Sequence, residues 1–214
     1  MVALVPQPRQ MPPPPFDKDD LQRVFAEVIQ RHSYQSFGFL PTGRGAQFSN
    51  DPEDGVELRP ALFQVQARMD RADLLTAPMA ADKVNAIFGI AAERLKVAAF
   101  LQCAIQIIAS ADAPDGDAKR FVAEKLLHDP EQVSVLGEGY FGGGVRFRNL
   151  VDLVPGAEDN LNIEPDVNDN SLLFIDFQMA RVAVDEPISL DQMSGWVSDA
   201  FDFVSDPTMR LLSR

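Results

Sequence analysis

A chain of 214 residues with 46% hydrophobic and 24% charged side chains can form one large domain, or two small modules that share a core. Its formal charge of −13 opposes phosphate backbones and anionic membrane surfaces, and a single cysteine excludes an internal disulfide. The first residues lack a charged segment followed by an apolar one, and no apolar run reaches membrane-spanning length, so a cytoplasmic protein is expected.

Met1 to Phe16 opens with a short apolar run and continues into Pro12–Pro15, which lack backbone donors and favour an extended conformation. A stiff lead-in to the first helix is expected here; a ligand for an SH3-like domain is the alternative. Asp17 to His32 is a predicted amphipathic helix, with Leu21, Val24, Phe25, Val28 and Ile29 on one stripe and acids in the first turn. Tyr34–Leu40 and Gly45–Ser49 predict a hairpin around Pro41-Thr42-Gly43, followed by a strand in Val56–Met69 that alternates from Ala61 onward. Ala80 to Leu95 is the second predicted helix, burying Val84, Ile87, Phe88, Ala91 and Leu95.

The longest apolar stretch, Lys96–Ser110, reads as a central strand. Leu101, Cys103, Ile105 and Ile107 fall on one face, and Phe100, Gln102, Ala104 and Gln106 on the other. A helix is the competing reading, since Leu101, Ala104, Ile105 and Ile108 also fit a 3.6 period. Cys103 on the apolar face is expected to be buried and inert. Ala113–Gly116 is a turn, Ala118–His128 a third helix, Val133–Asp152 a glycine-rich strand–turn–strand, Asp159–Ile163 a short edge strand and Ser171–Val184 a second strongly apolar strand. The last helix has a capping box, Ser189 with Gln192, and a staple of Ile188 with Met193; Pro207 is expected to end it.

Several motifs are weaker than they look. Gly137–Val145 (GEGYFGGGV) resembles a kinase phosphate loop, but no lysine follows it and the catalytic and metal-binding acids have no room. A bulged or flexible hairpin accounts for it. Asp166–Asn170 (DVNDN) resembles a calcium linker. As an EF-hand loop it has Ser171 where glycine belongs and Phe177 where the bidentate glutamate belongs, and an Asx-rich turn explains it. His32 and His128 sit near helix C-termini, where an imidazolium would suit the dipole, and with one cysteine there is no zinc spacing. No metal or cofactor is expected, and no catalytic residues are assigned.

Polar residues within strands are the remaining signal. Asp176, Arg146, Arg148, Gln102 and Gln106 would line a ligand cleft at the junction of two halves if their faces converge. An Asp176–Arg146 or Asp176–Arg148 pair, or a solvated sheet face, needs no ligand. Val151–Asp206 carries thirteen carboxylates against Arg181 alone, which offers Asp191, Asp199 and Asp202 as an acidic surface for a basic partner.

The expected fold is α+β: a duplicated helix–strands–helix unit (17–95 and 96–214, after the lead-in 1–16) around the central strand. A mostly antiparallel sheet would carry amphipathic helices on one face. The segments GAQFSNDPEDGVELRPALFQVQARMD, ERLKVAAFLQCAIQII and SLLFIDFQMARVAV with WVSDAFDF resemble a sporadically distributed family of uncharacterised bacterial proteins. This chain departs from it at the central strand, usually arginine- and aromatic-rich and here Ala-Phe-Leu-Gln-Cys. That resemblance implies a fold and a bacterial origin but no activity, and the duplicated order is similar to the ligand-binding modules of GyrI-like proteins. Three functions follow as expectations. The first is a non-catalytic, self-associating interaction protein using its acidic C-terminal half. The second is a small-molecule-binding module with its cleft between the two halves, and under any of the three no nucleic-acid or membrane partner is expected. The third is an enzyme using Asp176 or a histidine as acid or base.

Overall fold

The computed structural model describes residues 1–8, 13–51, 54–67, 76–126, 143–150 and 157–213. They form an α+β protein with a nine-stranded open sheet in the order β2-β3-β4-β5-β1-β6-β9-β8-β7. The chain divides into two compact units: Met1–Ile105 with Ala180–Phe201, and Gln106–Met179 with Asp202–Arg214. Among the described residues no helix is long and apolar enough to cross a membrane.

In the first unit, β1 (Val2–Pro6) lies between β5 (Leu62–Gln66) and β6 (Phe100–Asp112), antiparallel to both. These residues, expected in the lead-in, instead form an interior strand, with Val2 and Leu4 buried. Alternation over only five residues next to a proline run is too short to announce a strand. Its pairing with β6 also changes the expected faces. Val5 lies opposite Gln102, but Pro6 lies opposite Phe100, so β6 accommodates one extra residue, Leu101. Proline has no N–H to continue the ladder, and a bulge is how a sheet absorbs that loss. Phe100 is thereby turned to the buried side with Cys103 and Ile105, and Gln102 stays exposed.

Helix α1 (Lys18–Val28) starts at Asp17, whose carboxylate accepts from the Asp19 and Asp20 N–H groups, and it ends short of the expected His32. β2 (Ser36–Phe39) pairs with β3 (Ala46–Asp51) as the hairpin expectation requires. The stretch expected as one strand after Val56 is a second hairpin, β4 (Asp54–Arg59) and β5, joined at Pro60-Ala61 with Arg59 opposite Leu62. Pro60 sets the turn backbone and donates nothing to a ladder. Helix α2 (Ala77–Arg94) begins earlier than expected because Thr76 caps it through the Met79 N–H. Phe63 contacts the rings of Phe16, Phe88 and Phe100, which ties β5 to α2 and β6 in one aromatic cluster.

The second unit contains the rest of β6, α3 (Ala118–Phe121) with the π-turn Val122–Leu126, β7 (Val145–Leu150), β8 (Glu158–Pro165) and most of β9 (Leu172–Val182). Asp159–Ile163 is therefore not an edge strand: β8 lies between β7 and β9. Leu173, Ile175, Phe177 and Met179 are buried, and the alternate residues Phe174, Asp176 and Gln178 are half-buried or exposed. Residues 127–142 lie outside the described residues, with His128 and most of the glycine-rich stretch among them.

Helix α4 (Leu190–Phe203) has the expected capping box: the Gln192 N–H donates to Ser189 Oγ at 3.1 Å and Gln192 Oε1 accepts from the Ser189 N–H at 2.9 Å. Pro207 does not end the helical path. A π-turn (Val204–Thr208) and α5 (Met209–Leu212) follow. Pro207 leaves Phe203 O without its usual i+4 donor, and the buried Thr208 hydroxyl donates to that oxygen at 3.0 Å. Phe203 in turn stacks on Phe177 of β9 at 4.7 Å.

An interior β1 has a measurable consequence. Leu4→Ala should cost about 2–5 kcal/mol of stability in urea unfolding, the range for a fully buried leucine. A loss within about 0.5 kcal/mol, as for a surface substitution, would mean β1 is a peripheral strap.

Candidate functional site

In the second unit, the β7–β8 register places Arg146 opposite Asn162 and Arg148 opposite Asn160. The period of two sends these side chains to one face of the sheet, opposite to Val145, Phe147, Leu161 and Ile163. Arg146 donates to Asn160 Oδ1 at 3.1 Å, and the buried Asn160 Nδ2 donates to Glu158 Oε1 at 2.6 Å. Arg148 pairs with Glu158 at 2.7 Å. The hydrogen bond from Arg148, and next that from Asn160, hold the Glu158 carboxyl below the usual carboxylate range.

On β9, Asp176 accepts from Gln106 Nε2 at 2.9 Å on one oxygen and from Gln178 Nε2 at 2.8 Å on the other. Each oxygen keeps a free lone pair. The Asp176–arginine pairs considered from sequence do not form: glutamines hold Asp176, and Arg148 is committed to Glu158. Arg146 and Asp176 nevertheless line one solvent-open pocket of about 180 Å³, together with Gly144, Val145, Asn162, Glu164 and Phe174. Gly144 is required at this rim, because a Cβ there would lie 2.7 Å from Glu164 Cβ and 2.8 Å from Ile163 O.

Of the five ligand residues expected from sequence, the structure brings Arg146 and Asp176 into the pocket. It sets Gln106 behind Asp176 as a hydrogen-bond donor and Arg148 off the pocket in its own ion pair. Gln102 belongs to the first unit, opposite Val5. The residues missed are Gly144, Val145, Asn162, Glu164 and Phe174. The alternation Asn160-Leu161-Asn162-Ile163-Glu164 carried the signal for two of them.

The other candidates resolve into structural roles. In the Asp166–Asn170 segment, Asp166 Oδ1 accepts from the Asn168 and Asp169 N–H groups, and Asp169 Oδ1 from Ser171 N and Oγ. These are Asx turns, and among the described residues no group of His, Cys, Asp and Glu could hold a metal ion. Burial pushes the Cys103 thiol up to about 12, with Arg181 opposing, so it is not a thiolate at neutral pH. Asp191, Asp199 and Asp202 are exposed on α4.

A polar cluster in the first unit was not foreseen. Lys83 Nζ lies 3.0 Å from Asp54 Oδ1 and 5.3 Å from the Tyr34 ring centre. Asn50 Nδ2 donates to Asp54 Oδ2 at 2.9 Å. Tyr34 OH and His32 Nε2 are buried without hydrogen-bond partners. Burial, followed by Asp54, raises the Tyr34 phenol pKa. Burial lowers the His32 pKa, assisted by the Lys83 and Arg31 charges, so the dipole-stabilised imidazolium expected from sequence is not what this site favours.

No protein-family model, curated protein or solved structure matches this chain. The reading of its site therefore rests on its own residues, and the resemblance drawn from sequence rests on the patterns quoted above.

The His32 environment makes stability pH-dependent. Its folded pKa lies below the ordinary histidine value of about 6.5, so the unfolded chain binds the proton more readily. The stabilisation is complete above about pH 6.5 and falls as the pH drops through and below it. Urea midpoints between pH 7.5 and 5 should decline, and His32→Gln should flatten the decline. An unchanged slope in the variant would assign the pH effect elsewhere.

Proposed function

We propose that the protein is a non-catalytic binding module whose ligand is a small polar metabolite held on the open face of the second unit. One observation carries this reading. A guanidinium (Arg146), an amide (Asn162) and a carboxylate (Glu164) border the same pocket without bonding to one another. Paired surface charges satisfy each other, whereas charges kept apart around a concavity are available to a third party. The apolar wall is Phe174, and the glutamine-held Asp176 forms the base. This mixture of one aromatic side chain and a few convergent polar groups is the usual composition of a small-ligand site.

A second reading, an acidic docking surface for a basic protein, is favoured by the exposed Asp191, Asp199 and Asp202, since α4 has no basic residue in its last turn. The duplicated plan inferred from sequence also belongs with these proposals, as does self-association.

The test is native mass spectrometry of protein purified gently from its own cells. The binding-module reading predicts a retained small mass that Arg146→Ala removes. A bare chain in both proteins argues against the pocket, and a basic protein lost on Asp199→Asn with Asp202→Asn would replace this reading with the docking surface.

A further inference from the structure

Resting on the reading of this pocket as a ligand site, we propose that it takes a free α-amino acid, and a cationic one in preference to a neutral one. Strand register sets the arrangement of charges. Arg146 sits opposite Asn162 on β8, and its guanidinium leans to Asn160, on the side away from Glu164. Glu164 is two residues further along the same face and, among the described residues, has no ion-pair partner. Two residues of strand separate the Asn162 and Glu164 positions by roughly 7 Å. A ligand that engages both ends must therefore turn an anionic group toward Arg146 and a cationic group toward Glu164. An α-amino acid carries both signs on one carbon.

Sign selects the class further. The guanidinium offers a planar fork of five donors, of which Arg146 uses one on Asn160, so a carboxylate is the matched partner. A simple carboxylic acid would face two carboxylates, Glu164 and Asp176, against that one cation. A diamine would leave the guanidinium without a partner. A zwitterion satisfies both ends, and the excess of one negative charge in the pocket is cancelled by a second cation on the ligand's side chain. The half-exposed Phe174 ring supplies a surface for an aliphatic stem and an electron-rich face for its cationic end. The volume of about 180 Å³ is slightly larger than the roughly 150 Å³ that admits benzene, so the amino-acid head and the first part of its stem fill it.

The experiment is isothermal titration of the full chain with four probes: L-lysine, L-norleucine, cadaverine and hexanoate. L-lysine should bind and L-norleucine more weakly. Cadaverine, which lacks the carboxylate, and hexanoate, which lacks the amines, should give no saturable heat. Arg146→Ala and Glu164→Gln should each weaken L-lysine by at least tenfold, and Arg146→Lys should fall between Arg146→Ala and the parent. Both positions' side chains are exposed, and circular dichroism checks that the variants stay folded. L-lysine binding that is absent, or unchanged in both Arg146→Ala and Glu164→Gln, overturns the proposal. The two layers fail separately: a native-purified mass other than an amino acid, lost on Arg146→Ala, overturns the ligand class and leaves the binding reading standing. No retained mass together with no lysine binding overturns both.

Discussion

The pairing of β1 with β5 and β6 is the constraint on which the first unit depends. Leu4 lies opposite Phe63 on one side and Cys103 on the other, and all three side chains are buried. Five residues of backbone thus join the meander β2–β5 to the long strand β6. Without β1, the facing edges of β5 and β6 would present unpaired N–H and C=O groups, a cost of the kind sheets avoid. The same pairing fixes the bulge at Leu101, since Pro6 cannot extend the ladder, and the bulge decides that Phe100 joins Phe63 in the core.

What could be read from the sequence was what short-range physics decides. The Ser189–Gln192 capping box, the α2 stripe, the α1 stripe up to Val28 and the strand character of Ser171–Val184 depend on neighbours within a few residues, and all appear in the structure; Ile29, expected on the α1 stripe, lies past the helix end and is exposed. The errors lie where a distant partner decides. β1 becomes a strand only because β5 and β6 receive it. The face of Phe100 is set by a proline on another strand. Pro207 looked like a terminator because proline usually is one, and Thr208 supplies the missing hydrogen bond from an adjacent position that no capping rule flags.

The candidate site shows the same division. Period two along β7 and β9 was enough to place Arg146, Arg148 and Asp176 as outward-facing polar residues. Which of them meet was a question of register, which composition does not carry. Register put Arg148 beside Glu158, gave Asp176 two glutamine donors and left Arg146, Asn162 and Glu164 around an opening. A fully paired network on this face would have been structural. Here the paired part holds Asp176 and Asn160 in position, and the unpaired part is turned to solvent, a division between supporting and contacting groups that binding sites share. The strongly acidic composition has a separate physical effect, since long-range repulsion disfavours anionic ligands and leaves cationic or zwitterionic ones at an advantage.

The central claim is that the unpaired charges around Asn162 form the site, and amide chemical-shift mapping with L-lysine tests it most directly. The account predicts saturable shifts at Gly144, Arg146, Asn162, Glu164 and Phe174, with the α4 amides around Asp199 and Asp202 unmoved. Shifts centred on α4, or none at millimolar ligand, would contradict it.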